Sequence, residues 1–509
     1  MVGSATPRPR PTHYLTSDGL VVRARPRSIA RRLVRLLVVV ACLGGVAGAA
    51  TAGVILSHLG RTPREWAPYL QRRAAKHRPL IVNAADLVAR WLIYADRLAP
   101  PQPFTLPAFA GATVSRSGIA PPGRLRVVAS LPALAEAAAT AEPGDVIQLE
   151  PGHYRFGGYS IKFNRPGTAD APITLRAATL DGAVVESDAS ETFNVSAPFW
   201  RFENLSMRGV CGNHSDCEHA IHVVGGATDV VIRNNRFRDY NAHIKVNGEG
   251  GRFPDRGVIE GNTLTDTAPR STDNPVTPID LVAASNWLIR GNVIADFVRA
   301  DGGKVTYGAF VKGAGEANII ERNVVICEWK LRNVAGQRVG LSLGGGGTDD
   351  YARREQGHSG FEQTGGIIRD NLIASCDDDG IYLNRAARSV IDHNTLLDTA
   401  GIDARFVETS ASVTANIVDG VIRARDAAAL RVQDNQAAYL LELFAGVHPQ
   451  RGYFSGPNTL DLTWRREPER RLDASRRVDL CGHPRSVMTS PGAFEDYGFC
   501  LVSGGSGAS

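Results

Sequence analysis

Apolar and polar positions alternate along most of this chain in short phrases that repeat. "FWRFENLS", "VVIRNNRF", "GVIEGNTL", "WLIRGNVI", "NIIERNVV", "GIIRDNLI", "SVIDHNTLL", "SVTANIV" and "LRVQDNQ" each set alternating apolar residues around an asparagine. A period of two is the mark of a strand with one face buried. The asparagines fall at 204, 235, 262, 292, 323, 371, 394, 416 and 435. Their spacing stays between 19 and 31 residues except for one step of 48, from 323 to 371. That long step holds "GGGGTDDYARREQGHSGFEQTGG", which opens on a glycine turn and reads as an insertion able to cover a groove. Strand repeats of this length cannot bury their apolar faces singly and must stack as a solenoid. Asparagine suits the bends because it tolerates left-handed backbone angles, and stacked asparagines can hydrogen-bond along the axis. The expected fold is all-β, a right-handed parallel β-helix over 123–445.

The pattern changes at both ends. Before the repeats, "SLPALAEAAATAEPGDVIQLEPGHYRF" reads as a short helix, a Pro-Gly turn, a buried strand over 146–149 and another turn. "APITLRA" adds a second strand. Residues 101–122 form a Pro-rich linker. Residues 58–100 carry helical spacing in two pieces, a helical neck whose second helix has Asn83 as its candidate cap. Residues 446–509 close the chain, with "SPGAFEDYGFC" expected to shield the last rung.

From Leu36 to Leu56 the chain runs 21 residues without a charge, enough to cross a bilayer as a helix. Residues 36–57 are therefore expected to be a transmembrane signal-anchor, with cleavage after the small residues at 50–52 as the alternative. Eight arginines precede the span, so residues 1–35 are read as a cytoplasmic tail. The body would then lie in the periplasm or outside the cell, held by a single pass through a bacterial-type membrane.

Charge supports this division. The formal net charge is +5, but residues 1–35 hold +7 of it (eight arginines against Asp18), leaving −2 for the rest. A nearly neutral body lacks the basic face of a nucleic-acid binder. Six of the seven cysteines lie beyond the span, an even number that suits disulfides in an oxidising compartment. Six allow fifteen connectivities. The most local set joins Cys211 with Cys217 and Cys481 with Cys500, leaving Cys327 for Cys376.

Aligning the inward residues of "AIHVV", "HIKVN", "PIDLV", "AFVKG", "LSLGG", "GIYLN" and "IDARF" yields two outward columns. One runs His222, Lys245, Asp280, Phe310, Ser342, Tyr382, Asp403; the other Val224, Asn247, Val282, Lys312, Gly344, Asn384, Arg405. Such a face suits an acidic polysaccharide. Elimination from a uronate needs a base, a charge sink and an acid for the leaving oxygen. Lys312 or Lys245 is the candidate base, Arg405 or His222 the sink, and Tyr382 the acid. Asp280, Asn247, Asn384 and Asp403 are candidate sugar contacts. A glycosidase would instead need two carboxylates about one bond, for which "CDDDGIY" offers only a turn-like acidic run. No CxxC or HxxxH spacing marks a metal site.

"PGDVIQLEPGHYRF", "TADAPITLRA" and "AFVKGAGEANIIERN" resemble the pectate-lyase superfamily of parallel β-helix proteins, in particular the chondroitinase B and alginate lyase family. The resemblance covers about 123–436. It implies that Lys312 takes the uronate C5 proton, that an arginine one rung on assists the leaving group, and that calcium neutralises the substrate carboxylate. Five and seven residues before the lysine, where that family has its acidic ligands, this chain has Tyr307 and Val305. Gly344 stands where the arginine is expected. The resulting expectation is a uronate-polysaccharide lyase, with a non-catalytic polysaccharide-binding envelope protein as the alternative.

Overall fold

The computed structural model describes residues 60–99, most of 104–114, and 123–501 apart from 333, 346–347, 349–351, 355–359 and 474, with short pieces before residue 60. Met1–Gly60 and Arg61–Ser509 are separate compact units. In the first, His13–Leu15 pairs antiparallel with Val21–Arg23. The run from Leu36 to Leu56 lies largely outside the described residues; among those described, no helix is long and apolar enough to cross a membrane.

The second unit is built on three long sheets of twelve, eleven and ten strands. Every successive pair in them is parallel, for example Trp200–Glu203 on Val231–Arg233 in the first sheet and Ile279–Val282 on Val305–Lys312 in the third. The chain visits the sheets in turn, once per rung, which is the parallel β-helix; connections between parallel strands take the right-handed sense almost without exception. Inside, like residues stack on like. Ile147, Leu175, Phe202, Ile232, Ile259, Ile289, Ile320, Ile368, Ile391 and Val413 form one column along the first sheet, all fully buried. Each such side chain contributes roughly 1.5–3 kcal/mol of burial, which no rung could collect alone.

The asparagines form a ladder, with two differences from the reading of the sequence. Asn235, Asn262, Asn292, Asn323, Asn371, Asn394, Asn416 and Asn435 stack, each Nδ2 donating to the next Oδ1 at 2.8–3.0 Å. Asn204 stands outside it; Leu205 takes the corresponding place, its N–H donating to Asn235 Oδ1. The left-handed angles belong to the residue before each ladder asparagine: Asn234, Gly261, Gly291, Arg322, Asp370, His393, Ala415 and Asp434 all have positive φ. That residue turns the corner, and the asparagine after it satisfies the backbone groups the corner exposes.

Helix α1 (Pro63–Ala74) and helix α2 (Pro79–Asp96) form a hairpin. Thr62 and Glu65 make a capping box on α1. Helix α2 starts before Asn83, because Pro79 at its first turn has a φ already suited to a helix and no N–H to satisfy. The hairpin packs on the solenoid through Arg64, which is buried, ion-paired with Asp96 and Asp398, and donates to the Cys376 carbonyl at 2.6 Å. Helix α3 (Leu131–Ala139) packs over the first rungs through Leu134, Ala137 and Ala138.

Of the C-terminal segment, the stretch "SPGAFEDYGFC" packs along the flank of the solenoid instead of over its last rung. Ala493, Phe494, Tyr497 and Cys500 pack sideways on the second sheet, against Val293, Val324, Leu372, Leu397 and Ile417, with Phe104, Leu106 and Ala110 beside them. The outward residues of that sheet are apolar here, so they need a cover along the flank. Three disulfides join Cys211–Cys217, Cys327–Cys376 and Cys481–Cys500, the most local of the fifteen connectivities.

Asn323→Ala should remove the acceptor used by both the side chain and the backbone N–H of Asn292. Two buried donors left unmet predict a loss of about 2–4 kcal/mol, read from urea unfolding of the body. Arg322→Ala, on the corner just before it, is the control with a much smaller expected effect.

Candidate functional site

The outward face of the third sheet carries every residue singled out above, in the register expected. His222 pairs with Lys245, Lys245 with Asp280, Asp280 with Phe310, Phe310 with Ser342, Ser342 with Tyr382, and Tyr382 with Asp403. In the second column Val224 meets Asn247, Val282 meets Lys312, and Gly344, Asn384 and Arg405 follow in turn. One further rung adds Arg423 and Arg425. Rungs repeat at about 4.8 Å, so Lys245 and Tyr382, four rungs apart, stand about 19 Å from one another and cannot serve the same bond.

In the early rungs the charges already have partners. His222 Nδ1 lies 2.7 Å from Glu191 and Nε2 2.5 Å from Asn247 Oδ1. The hydrogen bond from His222 holds the Glu191 carboxyl down at about 2. Burial, with His222 and Lys245 nearby, lowers His219 to about 3, so it stays neutral. Lys245 Nζ donates to Asp280 at 2.7 Å. This pairing satisfies the charges of Lys245 and Asp280 within the wall and occupies His222 and Asn247 with one another. It is a polar lining rather than a reactive centre.

Lys312 lies further along, half-buried, its Nζ 4.6 Å from the centre of the Phe310 ring. The next rung is bare. Gly344 has φ +74°, and a Cβ there would collide with the Asn384 carbonyl oxygen. The arginine that the resemblance places on this rung is therefore excluded by the backbone, and the Lys312 side chain runs over the rung towards Gly345. Asn384 Nδ2 donates to Tyr382 Oη at 3.1 Å, while its buried Oδ1 has no hydrogen-bond partner among the described residues. The insertion after Gly344 folds back where it is described: Arg354 packs 4.4 Å over the Phe253 ring, and Arg353 pairs with Glu362.

Calcium does not fit at the positions that the resemblance points to. Val305 offers no ligand, and burial raises the Tyr307 hydroxyl well above its ordinary range, keeping it a neutral phenol. Among the described residues, no group of three or more histidines, cysteines, aspartates or glutamates is placed to hold a metal ion.

The last rungs and helix α1 enclose a pocket. Tyr307, Asp378, Asp379, Tyr382, Arg405 and Arg425 line it from the solenoid, and Arg61, Glu65 and Arg72 from the hairpin. Under its floor, Arg423 donates to Glu65 through two bonds of 2.8 Å and to Asp379 at 3.2 Å, with Asp403 3.1 Å away. Arg425 Nε donates to Asp403 at 3.0 Å. Three carboxylates, Glu65, Asp379 and Asp403, thus share Arg423 and the half-buried Arg425. Burial, reinforced by Glu65, pushes Asp378 up to about 7 and holds Asp379 well above the usual carboxylate range. Glu65, although buried, is drawn below its ordinary value by Arg423 and the Thr62 cap. Asp403, expected to touch sugar, is fully buried between Arg423 and Arg425 and belongs to this floor. Arg405 reaches the pocket while bonded to Asp426 at 2.7 Å, and burial raises the Tyr382 hydroxyl, with Arg405 working against it.

The structure therefore joins Tyr382, Asn384 and Arg405, puts Lys312 two rungs before Asn384, and leaves His222, Lys245, Asp280 and Asn247 in a separate cluster. It adds Asp378, Asp379, Arg425, Tyr307 and Glu65. The three aspartates of "CDDDGIY" were a signal for two of these. Glu65 had none, since it lies 358 residues from Arg423.

No family model matches the chain, and no curated protein does. Among solved structures it is similar to pectate lyase Pel9A at 17% identity, covering 75% of this chain and 98% of that one, TM-score 0.48. An alginate lyase from Paenibacillus sp. str. FPU-7 gives 17% identity, 62% and 99% coverage, TM-score 0.36. A rhamnogalacturonan lyase gives 13%, 62% and 87%, TM-score 0.41. Superpositions this loose say nothing about the chemistry of the pocket.

Asp378→Asn tests the shared-charge floor. A carboxyl raised in the folded chain binds more protons than in the unfolded one, so it favours folding below about pH 4. That contribution is lost as pH rises towards 7. The variant should match the parent in acid and exceed its stability above pH 7 by on the order of 1–2 kcal/mol, measured by unfolding from pH 4 to pH 8.

Proposed function

We propose that the protein binds acidic, uronate-containing polysaccharide along the third sheet and cleaves it by β-elimination at the pocket. The observation that carries this reading is the lining: Arg61, Arg72, Arg405 and Arg425 line the pocket with a phenol and with an aspartic acid that burial raises to about 7. Such a pocket attracts a carboxylate and can hydrogen-bond it without repulsion. Lys312, which lies beyond the residues that line the pocket, would in its neutral form take the C5 proton of the sugar ring bound beside it. The electrons form the C4–C5 double bond as the C4–O bond breaks, with the charge developing on the uronate carboxylate held by Arg405 and Arg425. Tyr382 would give its proton to the departing oxygen, and Asn384 Oδ1 would accept from a sugar hydroxyl. Within this proposal, Leu36–Leu56 anchors the chain in the membrane and the body works outside it. The uncharged run, the arginines before it and three disulfides in the body support that placement.

A second reading, binding without cleavage, is favoured by the pairing of Lys245 with Asp280 and of Arg405 with Asp426. The body should be incubated with polyuronates and glycosaminoglycans while the absorbance of unsaturated uronate is followed. Elimination predicts a rising signal, cut about 100-fold or more by Lys312→Ala and by Tyr382→Phe. Arg425→Ala should chiefly raise KM. A flat trace with retained binding would replace this reading with the second, and new reducing ends without absorbance would indicate hydrolysis.

A further inference from the structure

Helix α2 is apolar almost all round, yet only half of it is covered. Ala89, Leu92 and Asp96 are buried, with Ala67 of helix α1 and Phe444 packed on the same side. At 100° per residue, Tyr94, Leu87, Leu80, Trp91, Ala84, Ala95, Val88 and Ile81 follow one another around the opposite side. Leu80 is 80% exposed, Leu87 63%, Trp91 55% and Tyr94 88%. A continuous apolar stripe of this kind on a folded body marks a surface that works covered.

Its surroundings indicate the cover. The last turn of α1 and the loop that leads into α2 carry Arg73, Lys76 and Arg78, all exposed, beside the Leu80 end of the stripe. Arg90 is also exposed, on the border. In a dimer formed stripe to stripe, two such basic turns would approach each other or stay unneutralised. Against anionic headgroups they are complementary, while Trp91 and Tyr94 are the residues that settle at a membrane interface. Only the six residues Ser57–Thr62 separate Leu56 from α1.

We infer that helix α2 lies on an anionic lipid bilayer, apolar stripe inward, and so fixes the face that the pocket presents to the membrane. This goes beyond the anchor proposed above and stands apart from it, since the stripe belongs to the compact unit Arg61–Ser509.

The test uses that unit alone, without residues 1–60, so that its failure leaves the anchor and the elimination chemistry untouched. It should sediment with phosphatidylcholine vesicles containing about 30% phosphatidylglycerol, and far less with phosphatidylcholine alone. Leu87→Glu with Trp91→Glu should abolish binding while the melting temperature and any activity on soluble polysaccharide stay unchanged, since both side chains are exposed. Arg73→Gln, Lys76→Gln and Arg78→Gln together should weaken binding to the anionic vesicles by on the order of 100-fold. Absence of sedimentation with either vesicle overturns the inference. So does a stable dimer in solution that Leu87→Glu splits, which would assign the stripe to a second copy.

Discussion

The carboxamide ladder is the interaction on which the rest of this molecule depends. Every rung must turn a corner, and a corner leaves backbone groups without sheet partners in a dry interior. From Asn235 to Asn416 each side chain meets that need in the same way. Asn262, for example, accepts at Oδ1 from the N–H and Nδ2 of Asn235, and its own Nδ2 donates to Asn292 and to the Ile232 carbonyl. The asparagines thus hold successive corners in register, and with them the strands of the third sheet that carry the site.

That regularity explains which parts of the molecule were legible in the sequence. Repetition at one spacing reveals strands, corners and register together, because a slip in one rung would misplace the apolar residues of all the others. The two outward columns from His222 to Arg405 were readable for this reason. Corner geometry was harder: left-handed backbone sits on Arg322, Asp370 and His393, types that do not announce it, while the conspicuous asparagine follows. Features made once, between distant segments, left no trace. The bond from Glu65 to Arg423 has no period, and Asp403 looks like any other polar strand residue until two arginines are found to enclose it.

The site draws on two kinds of order. The solenoid supplies Tyr382, Asn384 and Arg405 at fixed spacing on a rigid sheet. The hairpin supplies Glu65, whose placement depends on Arg64 being held by Asp96, Asp398 and the Cys376 carbonyl. Asp377, Asp378 and Asp379 follow the cysteine that is disulfide-bonded to Cys327, so the acidic strip is fastened at the same point that receives the hairpin. Burial raises the carboxyls of Asp378 and Asp379, which eases the excess of carboxylates over guanidiniums beneath the pocket. Their placement therefore gives up some stability for carboxyls that hold their protons more tightly than usual.

Gly344 sets a limit on what this scaffold can become. Its left-handed backbone and the carbonyl of the following rung leave no room for a side chain. An arginine at that rung is thus a substitution that the backbone as it stands cannot accept. The history open to this protein runs instead through the residues on either side of that glycine. Chemistry there must be assembled from groups on the rungs to either side, and a glycine that cannot be exchanged becomes the fixed point about which any substrate site is laid out.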